Sequence, residues 1–409
     1  MRPTILLPAV TMLLVAILSG CFKDTVVERY SFYRPVYKTR AQVRAAIKTG
    51  VAQPITNPGK IFVRGNYIFL NDVNRGIHII DYSNPSAPRK TGFIEIPGNV
   101  DLAVNGNFLY ADQFTDLVTI DISNPGNIQV VGFDENVFPQ QYYVPDSNLV
   151  IAGWEKIDTV IRRKDNVQWT EDILFTSPFS GGPLASSAGI AGKAGSMARF
   201  GLMNNRLYTV STMDLRVFSL SNPADPVFLK TAYVGAGNIE TIYPFKDNLF
   251  VGSSNGMFIM SVANPDDPVT TGVFSHARAC DPVIAEENYA YVTLRSGNRC
   301  FTNSNQMDVV DVSKMASPSL VKSYAFTNPA GLSKDGDYIF LCDGTAGLRV
   351  LNAVSPLDIT TVATIGGFES YDVITTGTIA ITVAKDGLYF IDYRSLPELK
   401  IISKIPLNR

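Results

Sequence analysis

Leu117-Val-Thr-Ile-Asp121-Ile-Ser-Asn-Pro125 is an apolar run that ends in a small polar residue and passes into a Pro-bearing turn. The same unit recurs along the chain. Gly76-Ile-His-Ile-Ile-Asp81-Tyr-Ser-Asn-Pro85 precedes it, and Leu215-Arg-Val-Phe-Ser219-Leu-Ser-Asn-Pro223 and Met257-Phe-Ile-Met-Ser261-Val-Ala-Asn-Pro265 follow. Looser copies run Met307–Asp311 (Pro318), Leu348–Asn352 (Pro356) and Leu388–Asp392 (Pro397). The aligned polar positions lie 40, 98, 42, 50, 41 and 40 residues apart. The 98-residue gap equals two periods plus an insertion, so a copy that has lost its motif is expected at Gln140–Lys164, around Asn148-Leu-Val-Ile-Ala-Gly-Trp154. Upstream of each motif sits a second apolar strand, such as Asn66–Leu70, Asn107–Tyr110, Arg206–Val210 or Asp337–Leu341, and turn residues separate the two. About 40 residues holding four short strands is the size of one propeller blade. The expectation is an all-β chain forming one β-propeller of eight four-stranded blades, or seven if Gln140–Lys164 belongs to its neighbour. A short helix is expected near Arg40–Lys48.

Of the 409 residues, 46% are hydrophobic and 18% charged, a profile that excludes a disordered chain. Lys and Arg (35) nearly balance Asp and Glu (37), so the basic excess that neutralises a phosphate backbone is missing and nucleic acid is not an expected partner.

Residues 1–21 begin Met-Arg-Pro, run apolar from Ile5 to Leu18 with breaks at Pro8 and Thr11, and end Leu18-Ser19-Gly20-Cys21. A charged start and an apolar run too short to span a bilayer describe a secretory signal. The last four residues resemble the lipobox of bacterial lipoproteins, which implies acylation of Cys21 and stable anchoring by two or three acyl chains. Phe22 stands where an Asp would resemble an inner-membrane retention signal, so the outer membrane is expected. Phe22-Lys23-Asp24 resembles the surface-export signal of Bacteroidetes lipoproteins, which leaves both the cell surface and the periplasmic face open. The expected organisation is a leader at 1–20, a tether and extension at 21–54, and the propeller at 55–409 with an insertion at about 165–196.

The strand followed by Asp-x-Ser-Asn-Pro resembles the LVIVD repeat of bacterial, often Bacteroidetes, lipoproteins. Asn57-Pro-Gly-Lys60 and the stretch Asp281–Gly297, with Tyr291-Val-Thr-Leu-Arg-Ser-Gly297, are similar to further marks of that family. The resemblance implies a cell-envelope propeller and carries no established activity.

Aligning the blades by their second strands sets Lys60, Asp101, Gln141, Arg199, Glu240, Asp281, Gly331 and Asp372 near the starts of the innermost strands, at one mouth of a central channel. Such a ring can bind a polar ligand, or satisfy itself through ion pairs between blades. Beyond Cys21 the cysteines are Cys280, Cys300 and Cys342. In an oxidising envelope Cys280–Cys300 is the expected disulfide and Cys342 a buried free thiol. No spacing of Cys or His supports a metal site, and no metal or cofactor is expected. His78 alternates within an apolar strand and reads as structural, whereas His276, with Arg278, Asp281 and Arg295, approaches the ring face. Gly252-Ser-Ser254-Asn-Gly256 matches a hydrolase elbow in letters, but that motif requires a strand-to-helix turn and this one joins two strands. The Gly-, Ala- and Ser-rich stretch 177–196 reads as a surface loop or a partner-binding cover, preceded by Trp154 and Trp169.

Two functions follow. The first is a monomeric, lipid-anchored, non-catalytic propeller that binds an envelope protein or glycan over the loop face carrying Glu240, Arg278, Asp281, Arg295 and Cys300. The alternative is an envelope glycan hydrolase or lyase that uses channel carboxylates. An enzyme needs two carboxylates facing an open cleft, one with a raised pKa, whereas closed and charge-paired carboxylates favour a binder.

Overall fold

Seven antiparallel sheets, each built on four strands consecutive in sequence and one of them extended by a fifth, follow one another along the computed structural model. It describes residues 25–139, 142, 144–164, 198–235, 237–275, 282–296 and 304–408. The blades span 58–95, 102–134, 200–233, 239–275, 283–325, 332–365 and 370–406, numbered 1 to 7 here. In each blade the first strand is innermost, and the inner strands of successive blades adjoin.

The repeat motif owes its form to two successive side-chain caps. In all seven blades the polar residue that ends the third strand accepts a hydrogen bond from the amide two residues on, at 2.7 to 3.3 Å: Asp81, Asp121, Ser219, Ser261, Asp311, Asn352 and Asp392. The amide between bonds back to the hairpin joining the first two strands, as Ile122 does to Asn107. Where Asn precedes Pro it caps again, Asn124 to Gly126 for example, and closes a turn through its own carbonyl. Asp, Asn and Ser recur because each offers an acceptor on a short side chain. Every third-to-fourth strand pair also carries a register shift at the same place, which bends the outer strand.

Blades cohere through their faces. The buried apolar residues fall into seven clusters, and each joins one pair of neighbouring blades. One of them sets Ile61, Ile68, Leu70 and Ile80 of blade 1 against Ile381, Leu388 and Phe390 of blade 7 and so closes the ring. No strand crosses that seam. Beside the packing, Ser403 Oγ donates to the Pro85 carbonyl and the Asn408 amide to that of Ile55.

The described residues form seven blades, not the eight expected. Ala103, Tyr110 and Phe138 of blade 2 and its exit pack directly on Phe200, Leu207 and Phe218 of blade 3. The segment assigned to the missing unit forms one strand, Leu149–Lys164, which pairs with the N-terminal strand Thr25–Thr39. Its sequence carries no Asn-Pro turn to fold it back into further strands, so it takes its partner from the extension. Ser31 bonds Asp158 and Arg34 bonds Glu155, so position rises along one strand as it falls along the other and the pair is antiparallel. Residues 25–36 and 153–164 of this ribbon make one compact unit, and the propeller with residues 37–152 makes the other.

The helix covers Arg40–Arg44, capped by a reciprocal Thr39–Gln42 pair. It is shorter than expected because Lys48–Gly50 becomes a fifth strand on the outer edge of blade 1. Arg40 and Arg44 hold Asp116 of blade 2 between them, and Gln113 Nε2 reaches the Val43 carbonyl. No helix among the described residues is long and apolar enough to cross a membrane.

Candidate functional site: the channel ring

Among the described residues, six of the seven blades send one residue to the same level of the inner strand. Lys60 and Asp372 lie two residues into theirs, Glu240 one residue in, and Asp101, Arg199 and Gly331 immediately before. Six of the eight positions expected from alignment are therefore described and equivalent. Gln141 belonged to the expected blade that the described residues do not form, and it lies outside them, as does Asp281.

The centre of the ring is buried and charge-paired. Asp101, with no exposed surface, takes the amides of Leu102 and Arg199 at 2.7 Å each, and Lys60 Nζ stands 3.9 Å from its Oδ2. Burial pulls the Lys60 ammonium below its usual range, opposed by Asp101, while burial pushes the Asp101 carboxyl up, opposed by Lys60. Asp372 is equally buried, and neither of its oxygens has hydrogen-bond geometry to a donor among the described residues. Burial raises its carboxyl well above the carboxylate range, against smaller opposing effects of the Val373 amide and Lys60. Blade 6 contributes Gly331 because Asp372 Oδ1 fills the space in which a Cβ would lie.

Around this core, Arg199, Glu240, Arg295 and Tyr371 are half-buried. Arg199 Nη2 donates to the Val210 carbonyl at 3.2 Å. Arg295 lies within electrostatic reach of Glu240 and Tyr371; burial lowers its pKa and Glu240 opposes that. The mouth thus offers two guanidinium groups, a carboxylate and a phenol above a closed, paired floor.

His276, Arg278, Cys280 and Cys300 lie outside the described residues, and so do Trp169, the 177–196 insertion and Cys21. Cys342 is a buried free thiol, which burial keeps protonated. His78 is structural: its Nε2 is 3.1 Å from Asp72, and burial lowers its pKa with Asp72 opposing. Gly252–Gly256 forms the tip of a hairpin in which Ser253 pairs with Gly256, so it is no nucleophile elbow. No group of three potential ligands for a metal occurs among the described residues.

Three carboxylates that reading for sites overlooked set the ring's geometry. Asp72, Asp112 and Asp343 stand at the ends of second strands, and each caps two successive amides of the segment leading into an inner strand. Asp112 Oδ1 takes Asn99 Nδ2 and the amides of Val100 and Asp101 at 2.8 Å each. Burial pushes its pKa up to about 6 despite those bonds. The signal was an Asp closing an apolar strand, as in Tyr338-Ile-Phe-Leu-Cys-Asp343.

Residues 58–93, 98–133 and 277–326 match the LVIVD repeat family. No curated protein matches the sequence. Among solved structures, a putative 6-phosphogluconolactonase from Bacteroides fragilis superposes with a TM-score of 0.54 at 10% identity, over 89% of this chain and 96% of that one. The periplasmic gluconolactonase PpgL of Pseudomonas aeruginosa gives 0.54 at 10% identity, over 88% and 98%. BamB from Moraxella catarrhalis gives 0.50 at 9%, over 80% and 82%. At such identities these likenesses concern the fold alone.

Proposed function

From a chain that carries LVIVD repeats and folds as a seven-bladed β-propeller, we infer a lipid-anchored, monomeric binding module of the outer membrane, non-catalytic, whose channel mouth engages an envelope protein or glycan. The carrying observation is the state of the channel carboxylates. Asp101 is buried, bonded to two amides and faced by Lys60, and Asp372 has no exposed surface, so neither can reach a glycosidic bond. The accessible groups, Arg199, Glu240, Arg295 and Tyr371, are those that orient a polar ligand. The raised carboxyls of Asp101 and Asp372 favour a glycan-active enzyme, and the burial of both stands against that use.

Cross-linking in intact cells tests the reading. A photo-reactive residue in place of Tyr371 is expected to capture a defined envelope component, with capture reduced at least five-fold by Arg295→Glu or Glu240→Lys. Capture that is indifferent to both charge reversals sinks the channel-mouth assignment. The anchor is tested separately: Cys21→Ala is expected to release the protein from membranes, and retention through a carbonate wash defeats acylation at Cys21.

A further inference from the structure

Arginine side chains in this protein are, with one exception, held by the protein itself. From Arg34 to Arg394, each of the others whose side chain is described donates at least one guanidinium hydrogen bond to a described residue. Arg295 donates none among the described residues, although it is half-buried at the channel mouth and burial lowers its pKa. A guanidinium carries five donors and is costly to strip of water without acceptors in exchange. No fold-building role offsets that cost among the described residues. Where the second strands end in blades 1, 2 and 6, Asp72, Asp112 and Asp343 cap the amides of the segments that lead into inner strands. Blade 5 ends its second strand at Leu294 and continues with Arg295, so it places donors where those blades place an acceptor.

The neighbours of Arg295 at the mouth can accept. It lies within electrostatic reach of Glu240 and Tyr371, both half-buried. Tyr371 gives its hydroxyl proton to Glu369 at 3.2 Å, which leaves its oxygen as an acceptor, and an ionised carboxylate such as that of Glu240 only accepts. A ligand that suits all three brings an anionic acceptor for the guanidinium fork and hydroxyl donors close beside it. A phosphate monoester carries close to two charges and would set the second against Glu240. A peptide Asp or Glu brings the carboxylate without the hydroxyls. A hexuronic acid has one carboxylate on a ring whose other carbons carry hydroxyls.

We propose that the channel mouth binds the carboxylate of an acidic sugar within a glycan, with Arg295 holding the carboxylate and Glu240 and Tyr371 receiving hydroxyls of the same ring. The proposal rests on the binding-module reading above and names its ligand class.

Equilibrium titration of the full chain, solubilised in detergent, with oligomers of galacturonate, glucuronate and mannuronate tests it. At least one is expected to bind. Its methyl ester, which keeps every hydroxyl and loses the charge, should bind at least about ten-fold more weakly, the loss expected for a charge-assisted pair. Arg295→Gln should weaken the acid by about the same factor and leave the ester and the melting temperature unchanged. Arg295→Lys, which keeps the charge without the fork, should fall between parent and Arg295→Gln. Binding of none of these acids, equal binding of acid and ester, or an Arg295→Gln protein that binds the acid as the parent does overturns the proposal. Tighter binding of an oligo-glutamate peptide or of mannose 6-phosphate overturns it in favour of a protein or a phosphate. If every acidic sugar fails while cross-linking at Tyr371 still captures a component in an Arg295-dependent way, the ligand class falls and the channel mouth stands as a binding site.

Discussion

Asp112 shows how a side chain with no catalytic role governs the channel. Three donors converge on its Oδ1, and two of them are the amides that aim Val100 and Asp101 into the ring. Replacing it by Ala would strip all three at once in a buried place, at about 2 to 3 kcal/mol, while Asn keeps the acceptor and should cost under about 1 kcal/mol. Its pKa rises to about 6, chiefly through burial. A carboxyl raised on folding favours the native state most below its unfolded value and loses that contribution as pH climbs through the folded value. Stability of the parent relative to Asp112→Asn should therefore decline between about pH 4 and pH 6, measured by urea unfolding across that range. A flat difference would mean that folding leaves the Asp112 pKa unchanged. At this scale the ring itself was legible: Lys60, Asp101, Glu240 and Asp372 stand at equivalent positions because strand alternation and repeat spacing fix them. Their caps were not, because a hydrogen bond from a second-strand Asp to a loop before the first strand depends on how the hairpin folds and leaves no periodic mark.

Blades interlock as elements through more than apolar contact. Tyr110 of blade 2 donates its hydroxyl to the Pro223 carbonyl in the motif turn of blade 3, at 2.8 Å, and Tyr208 of blade 3 does the same to Pro265 of blade 4, at 2.9 Å. Tyr324 of blade 5 reaches Pro356 of blade 6. The Pro that marks the repeat thus also presents a carbonyl to the preceding blade. Tyr110→Phe and Tyr208→Phe should each lower unfolding free energy by about 1 kcal/mol, and the double variant by about their sum, since they act at different interfaces. Denaturant unfolding checks this, and a change under about 0.3 kcal/mol for both would show that the bonds are replaced by water. Burial raises both phenols to about 12. A donor whose pKa rises on folding gives its full contribution below the unfolded value near 10, and loses it as pH approaches 12. Base sensitivity should therefore diminish in the Phe variants.

For the whole molecule the deciding quantity is the number of interfaces. Repeat counting reached the architecture but assigned a unit to Gln140–Lys164, because an apolar strand looks the same whether its partner comes from the next hairpin or from residues 25–39. Only pairing separates those cases, and no local pattern encodes it. Seven clusters for seven blades leave no interface unfilled, and the seam between blades 7 and 1 has an apolar cluster of its own although no strand crosses it. Phe390 at that seam and Phe250 between blades 4 and 5 are both without exposed surface. If the ring closes as one cooperative body, Phe390→Ala and Phe250→Ala should each cost about 3 to 5 kcal/mol and agree within about 1 kcal/mol. Hydrogen exchange in the Phe390→Ala protein should then rise in Ile68–Leu70 of blade 1 as well as in blade 7, because the cavity lies between them. A much smaller cost at Phe390, with faster exchange confined to blade 7, would reveal a seam that opens independently, and the ring would then be a chain of blades whose ends merely touch.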